Sequence, residues 1–361
     1  MRKKFVSLLV AGALTAGMLA GCSPGGGSGS GSEGESASSD GDYDLTLYSI
    51  NTTDPEFDDW LANVEEATGL NINVIAAPTD SDTRQQKITT ILSTGDSSVD
   101  IIEINDEMSS AFKNSGWLEG LNDTVMTDDI IDYFAKGYVE NMITDNEGNI
   151  IGVPGYTGYL AFWVNQEIMD EAGITSIDTK EDFMKYMEAV SGDEMNPKAI
   201  DGKYGCWFYW GLGPEYETAD MLGEDKIHMA MVPDFSGNGE RYIFTDSWNY
   251  VLNSASENKE AAVKFLQYMA DEGGMEASYQ YFDRYPARTD VAEKIVPDTD
   301  PAKEMYSRYA TECTVSGRPM LPQTMEFITD MGTIFQSCMQ GNISVDEFCI
   351  SAQELVDKYS E

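Results

Sequence analysis

The sequence is poor in histidine and in basic residues. His228 is the only histidine among 361 residues, which excludes histidine-rich metal sites and leaves little scope for histidine-dependent catalysis. Only 22 lysine and arginine residues stand against 63 aspartate and glutamate residues, so the formal net charge is −41. Because such a surface repels phosphate backbones, we expect no nucleic-acid partner.

Cysteines are few and familiar catalytic motifs are missing. The five cysteines include no Cys-x-x-Cys pair, so we expect no metal and no cofactor. Cys338 and Cys349 flank a short turn and form either a disulfide or buried free thiols. Neither Gly-x-Ser-x-Gly nor His-Glu-x-x-His occurs, so we expect no enzyme activity. The abundant acids do not indicate a glycosidase, because that chemistry needs two carboxyl groups at a defined separation.

The N-terminus has the features of a secretory leader. Arg2, Lys3 and Lys4 precede an apolar run over 5–19, which is shorter than the roughly 20 residues of a membrane span. We therefore predict a signal peptide over 1–21. Its end, Leu-Ala-Gly-Cys22, resembles a bacterial lipobox. That resemblance implies that Cys22 is acylated and anchors the protein on the extracytoplasmic face of the cell membrane. The alternative is an ordinary signal peptide with a chance cysteine.

A tether separates the leader from the folded part. Residues 22–42 are rich in glycine and serine and are predicted to form a flexible linker. Hydrophobic residues make up 42% of the chain, enough for real cores, and no later stretch is apolar enough to span a membrane. At about 150 residues per domain, the length predicts about two domains.

The pattern after the tether predicts an α/β fold. Strands are expected over 44–50, 70–74 and 99–104, with helices between them that end at Gly69 and Gly95. The run 99–104 is nearly all apolar, which is typical of a buried parallel strand. Later segments read as a turn at 145–149 and as helices capped by Thr179-x-x-Asp182 and Ser344-x-x-Glu347. The βαβαβ order indicates a layered α/β architecture.

Several segments, in order, resemble the family 1 extracellular solute-binding proteins of ABC importers, the group that includes maltose-binding protein. The matching segments are TGLNINVIAAP, QKITTILSTGDSSVDIIEINDEMSSAFKNSGWLEGLND, GNIIGVPGYTGYLAFWVNQEIMDEAGI, NSASENKEAAVKFLQYMADEGG, SGRPMLPQTMEFITDMGTIF and GNISVDEFCISAQELV. Each motif is loose, but the ordered set covers most of residues 43–361.

The resemblance implies a two-lobed periplasmic-binding-protein-like (type II) fold with a cleft between the lobes. Residues 43–153 plus 241–299 would form lobe 1, and residues 154–240 plus 300–361 would form lobe 2. Only 24 positions separate Tyr204 from His228, where the family usually has several further elements. We therefore expect a shortened second lobe.

Candidate binding residues follow the predicted strands, where open α/β sheets bind ligands. Asn51 follows the first strand, and Asn105, Asp106 and Glu107 follow the third. The resemblance implies that an acid in the segment after the third strand binds a hydroxyl group of the ligand. The alternative for these residues is a role as helix caps and turn residues.

Aromatic side chains complete the predicted site, since sugars stack on flat rings. The candidates are Tyr156 and Tyr159 at the crossover, Trp210 in the cluster CWFYWGLG, Trp248, and Tyr285 before a proline. Packing of the crossover strand is the alternative for Tyr159. Ile328 stands where the maltose-binding pattern has an aromatic platform, which argues against maltodextrin as the ligand.

The resemblance implies a lipid-anchored receptor that captures a small solute by cleft closure and delivers it to ABC permease subunits. A sugar or oligosaccharide is the first choice of solute, and we expect the receptor to be a monomer. Two alternatives stay open: a receptor for a polyamine or another cation, with aromatic rings as cation–π walls, and a degenerate receptor that binds nothing.

Overall fold

The computed structural model describes residues 43–190, 206–210, 226–300, 302–318, 321 and 323–360. All of them belong to one of the two units into which the chain divides, Gly41–Glu361. The predicted leader, Cys22 and the tether lie outside the described residues, as does much of the segment between Tyr204 and His228. The leader, the tether and the shortened lobe therefore stay predictions.

The described residues form the mixed α/β fold that the sequence predicts. The strands are β1 (Leu45–Ser49), β2 (Ile72–Ala76), β3 (Ile101–Asn105), β4 (Val153–Asn165), β5 (Cys206–Trp210), β6 (Ile227–Ala230), β7 (Tyr242–Leu252) and β8 (Thr314–Ser316). A 3-10 turn covers Asn51–Thr53. The helices are α1 (Phe57–Thr68), α2 (Ser81–Thr94), α3 (Asp106–Phe112), α4 (Asp128–Ile131), α5 (Tyr138–Met142), α6 (Gln166–Glu171), α7 (Lys180–Val190), α8 (Lys259–Ala270), α9 (Glu272–Phe282), α10 (Thr289–Ile295), α11 (Lys303–Glu312), α12 (Thr324–Met339) and α13 (Val345–Ser360).

The first half of the sheet is a parallel βαβαβ unit. β1 pairs in parallel with β2 on one side and with β3 on the other. The intervening helices α1 and α2 end where the sequence predicts, because Gly69 and Gly95 both take φ +65° and cap them. The carboxyl ends of β1 and β3 therefore meet at one edge of the sheet.

Two long strands cross from this half of the sheet to the other. The first part of β4 pairs with β7, and its last part pairs with β5 and β6. β7 pairs with β8 at its beginning and with β3 at its end. The sheet order is β2-β1-β3-β7-β4-β5, so β4 and β7 form the crossing segments that a two-lobed fold needs. The bounds of the lobes stay a prediction.

Apolar side chains fill both faces of the parallel half. Trp60, Val64, Leu47 and Phe265 lie in one hydrophobic cluster, and Ile88, Ile102 and Met108 lie in another. The apolar stripe of α8, which includes Phe265, is buried. These two clusters pack against opposite faces of the strands whose ends carry the candidate residues.

The predicted local signals at the turn and helix starts are confirmed. The Asp145 side chain accepts bonds from the backbone N–H groups of Glu147 and Asn149, closing the turn before β4. Asp182 Oδ2 accepts from Thr179 N at 3.0 Å, and Glu347 Oε2 accepts from Ser344 N at 2.8 Å, as capping boxes require. Cys338 in α12 and Cys349 in α13 are free thiols. Cys349 is exposed rather than buried.

Candidate functional site

Three predicted residues from distant parts of the chain lie side by side on one face of the sheet. Asn105 at the end of β3 is paired with Trp248 of β7, and Trp248 is paired with Tyr156 of β4. Side chains of directly paired residues stand on the same face, about 5 Å apart at Cβ. The row lies at the edge where β1 and β3 end, and Asn51 follows β1 at that edge.

The buried carboxyl group of Glu103 forms hydrogen bonds with the residues at this edge. It is 2% exposed and accepts hydrogen bonds from Ser49 Oγ at 2.7 Å, Asn51 Nδ2 at 2.7 Å and Ile50 N at 3.2 Å. Burial raises its pKa, and these bonds and the charge of Arg284 only partly offset the rise. Asn51 is thus fixed by Glu103 and positions the turn after β1.

Sequence patterns missed Glu103, although a signal was present. It is the one acid in β3, and it lies between Ile102 and Ile104. A carboxylate in a strand that is buried on both faces needs hydrogen-bond donors from its neighbours. This need identifies Glu103 as a residue that organises the strand ends.

The residues after β3 combine capping with an ion pair. Asn105 Oδ1 accepts from Met108 N at 3.1 Å and caps α3, which matches the capping alternative for this residue. Asp106 is buried, and its Oδ2 forms an ion pair with Arg318 Nη1 at 2.6 Å. Arg318 Nη2 lies 3.4 Å from Glu107 Oε1. Burial raises the pKa of Asp106, and Arg318 opposes that rise. Arg318 thereby ties the segment after β8 to the start of α3.

Arginine side chains cover aromatic rings at the same edge. The guanidinium carbon of Arg84 lies 5.4 Å from the centre of the Trp248 ring, and that of Arg284 lies 4.9 Å from the centre of the Tyr156 ring. Both distances are within the range of a cation–π contact. The rings predicted to stack on a ligand thus carry positive charge beside them, which no sequence pattern showed.

Two other predicted tyrosines lie deeper. Tyr159 is buried, and its ring packs at 4.9 Å from Tyr306 and 5.7 Å from Tyr309. Its place in the crossing strand matches the packing alternative, and it does not reach the edge with the others. Tyr285 packs at 4.7 Å from Tyr306, and burial raises its pKa. The backbone of Tyr285 accepts a bond from Thr157 N at 2.9 Å and so holds β4.

The side chain of Trp210 and the lipidation candidate Cys22 lie outside the described part of the structure. The backbone of Trp210 pairs with Leu160 at the end of β5. Ile328 is half-buried in α12.

A separate cavity of about 1000 Å³ lies along β6 and α11. Its lining includes Trp163, His228 and Met305, and none of the predicted site residues. Its two cations are already engaged, because Lys303 pairs with Asp298 and Arg308 with Glu312. Its lining also includes no residue from the carboxyl ends of β1 and β3, where open α/β sheets bind ligands. We therefore place the candidate site at the edge formed by Asn51, Asn105, Trp248 and Tyr156.

The described residues offer little for metal binding or membrane insertion. No group of three or more His, Cys, Asp or Glu side chains is arranged around a common point within the described part of the chain. In the same part, every helix is too short or too polar to cross a membrane.

Comparison with known proteins identifies the kind of fold. Residues 51–216 match the family model described as bacterial extracellular solute-binding protein. No curated protein matches the chain.

Solved structures show the same architecture at low sequence identity. A sugar transporter from Rhizobium etli in an open conformation is 16% identical, with a TM-score of 0.67 over 87% of this chain and 98% of that chain. The sugar-binding protein MalE from Xanthomonas citri is 12% identical, with a TM-score of 0.69 over 88% and 96%. An ABC transporter solute-binding protein from Thermotoga lettingae, bound to α-D-tagatose, is 17% identical, with a TM-score of 0.62 over 88% and 99%. These likenesses confirm the predicted periplasmic-binding-protein-like fold.

Proposed function

Because residues 51–216 match the family model of bacterial extracellular solute-binding proteins, we propose that the chain is an extracytoplasmic receptor that captures a sugar or oligosaccharide for an ABC transporter. The observation that carries the proposal is the row of Asn105, Trp248 and Tyr156 at the carboxyl edge of the sheet. Aromatic rings offer faces to a sugar ring, and amides and carboxylates bind its hydroxyls.

The proposed mechanism involves binding and closure, without chemistry on the solute. A ligand that contacts both lobes selects the closed form, because only that form makes both sets of contacts. β4 and β7 are the segments about which the lobes would move, with lobe 1 over 43–153 plus 241–299. Solved structures of similar fold include one from Thermotoga lettingae bound to α-D-tagatose and one from T. maritima bound to maltose.

The other parts of the proposal rest on the sequence. A lipid anchor at Cys22 would hold the receptor at the cell surface, and permease subunits would receive the solute. The family consists of binding proteins, which supports a receptor over a glycosidase. The arginines over Tyr156 and Trp248 disfavour the polyamine alternative, because like charges repel.

Thermal unfolding of the purified protein with a panel of sugars tests the proposal. A solute at 100 times its dissociation constant should add about 2.7 kcal/mol of stability, which raises the melting temperature by several degrees. We expect a shift with one class of sugar and loss of that shift in Trp248→Ala, because the ring borders the bound sugar.

The matched control is Trp117→Ala. Trp117 is also half-buried and packs at 6.0 Å from Phe112, toward the opposite end of α3 from Asn105. We expect this variant to melt at a lower temperature yet keep the full sugar-induced shift. An unchanged shift in Trp248→Ala would remove Trp248 from the site, and a cooperative melt without any shift across a broad sugar panel would contradict the proposed function.

A further inference from the structure

We propose that the solute carries an oxyanion on its sugar, a carboxylate or a phosphate, and that Arg284, assisted by Arg84, receives this group. The inference rests on the proposed function and narrows its substrate class. Neutral sugars would then be weaker ligands than their acidic counterparts.

Arginine is scarce in this chain, and its distribution is uneven. The sequence contains seven arginines, and Arg2 lies in the leader. Of the other six, Arg241, Arg288 and Arg308 form ion pairs with nearby acids. The remaining three gather at the candidate edge, a concentration that is unexpected for a net charge of −41.

Two of these three carry charge that no acid neutralises directly. Arg318 is engaged by Asp106 and Glu107. Among the residues that the structure describes, Arg84 and Arg284 form no ion pair, and the Nε atom of each is buried without a hydrogen-bond partner. Buried charged groups are normally paired, so this part of the site is incomplete without an anion.

Arg84 is held rigidly in place. It is 6% exposed, and its Nη1 donates to the backbone carbonyls of Pro78 at 2.9 Å and Thr79 at 3.1 Å. Its guanidinium lies over Trp248, and its charge also reaches Tyr48 and Asp80. The Asp80 side chain accepts a hydrogen bond from Thr83 N and caps α2, and it forms no ion pair with Arg84 among the described residues. Arg84 thus supplies a fixed positive charge to the edge.

Arg284 is the group that can touch the solute, because it is only partly buried. Its guanidinium lies over Tyr156, and its positive charge interacts with the carboxyl group of Glu103, whose pKa it lowers. The Glu103 carboxylate already accepts three hydrogen bonds, and its burial favours the neutral form. Glu103 therefore leaves the charge of Arg284 largely uncompensated.

The register places the two rings covered by these arginines side by side. Trp248 and Tyr156 are directly paired in adjacent strands, so the two arginines lie over neighbouring rings. An arginine stacked on a ring keeps its N–H donors in the guanidinium plane, where they match the oxygens of a carboxylate or a phosphate. A cationic solute would meet the same two charges and be repelled.

Isothermal titration with matched pairs of sugars tests the inference. The pairs are galacturonate against galactose, glucuronate against glucose, and glucose 6-phosphate against glucose, with spermidine as the cationic probe. We expect the acidic member of at least one pair to bind at least about 10-fold more tightly, since a charge-assisted hydrogen bond contributes that much. The uronate and phosphate arms distinguish the two kinds of oxyanion. The preference should weaken as salt is raised.

Variants locate the preference. Arg284→Gln should reduce affinity for the acidic sugar about 10-fold to 100-fold and leave affinity for its neutral partner within about 2-fold. Arg284→Lys, which keeps the charge without the planar fork, should retain part of the preference. The matched control is Arg308→Gln, an exposed arginine paired with Glu312 on α11, which should bind as the unmodified protein does.

The outcomes separate the inference from the proposed function. Equal or tighter binding of the neutral sugars would overturn the inference and leave the receptor proposal standing. Tight binding of spermidine would overturn the inference and favour a cation receptor. Failure of every sugar, acidic and neutral, in protein that melts cooperatively would count against both.

Discussion

Replacing Glu103 with alanine is expected to destabilise the protein by about 3–5 kcal/mol. The change leaves Ser49 Oγ, Ile50 N and Asn51 Nδ2 without their acceptor inside the protein, and each buried donor left unpaired costs about 1–3 kcal/mol. Denaturant unfolding of both proteins measures the loss. A difference below about 1 kcal/mol would show that water or a rearranged chain replaces the carboxylate.

Glu103→Gln is the matched control, and it carries a pH dependence. The amide oxygen can accept two of the three bonds, so we expect a cost of about 1 kcal/mol at low pH. Because burial raises the pKa of Glu103 in the folded state, the folded protein holds the proton more tightly than the unfolded chain. The stabilising effect of Glu103 is fully present below the pKa that this glutamate has in the unfolded chain. It falls as pH rises through the pKa that Glu103 has in the folded protein.

The expected result is therefore a stability difference between the two proteins that changes with pH. Unfolding free energies of the wild type and of Glu103→Gln should be measured at intervals from pH 4 to pH 8. The wild type should lose stability relative to the glutamine variant as pH rises. Arg284 and Tyr250, the other ionisable groups near Glu103, are present in both proteins and cancel in the difference. A flat difference would mean that Glu103 titrates normally.

Replacing Trp60 with alanine is expected to cost about 3–5 kcal/mol, the usual range for removing a large buried ring. Trp60 is fully buried in α1, and its ring lies 5.5 Å from Phe57 and 5.3 Å from Phe282. It joins α1 to α9 on the face of the sheet opposite the α2 cluster. Calorimetric or denaturant unfolding measures the loss.

Trp60→Phe separates the ring from its polar atom. Trp60 Nε1 is buried without a hydrogen-bond partner, so phenylalanine removes an unsatisfied donor as well as part of the ring. We expect a cost below about 1.5 kcal/mol. If phenylalanine were as damaging as alanine, the indole N–H would have to make a contact that stabilises the fold.

Much of the fold follows from local patterns, because they depend on near neighbours in sequence. The alternation in β1 and β2, the glycines that end α1 and α2, and the capping boxes at Thr179 and Ser344 all act within a few residues. The resemblance of ordered segments to solute-binding proteins predicted the type of fold that the solved structures share. The free thiols at Cys338 and Cys349 settle a choice that spacing left open.

The candidate site was predicted in part. The residues after β1 and β3 were found because parallel strands end at one edge, and Trp248 and Tyr156 join them there. For Tyr159 the sequence left both ligand binding and strand packing open, because alternation along β4 does not say which face packs against α11; the structure places its ring against Tyr306 and Tyr309. Arg84 and Arg284 were missed because each meets its ring across a large separation in sequence.

The sequence by itself determined the α/β order, the acidic charge and the strand ends that carry polar residues, because each depends on composition or on a short-range pattern. Only the tertiary structure decided that Glu103 holds the turn after β1 and that two arginines without ion pairs lie over neighbouring rings. Strand register and side-chain stacking join residues far apart in the chain, and they are set by packing of the whole fold rather than by any local segment.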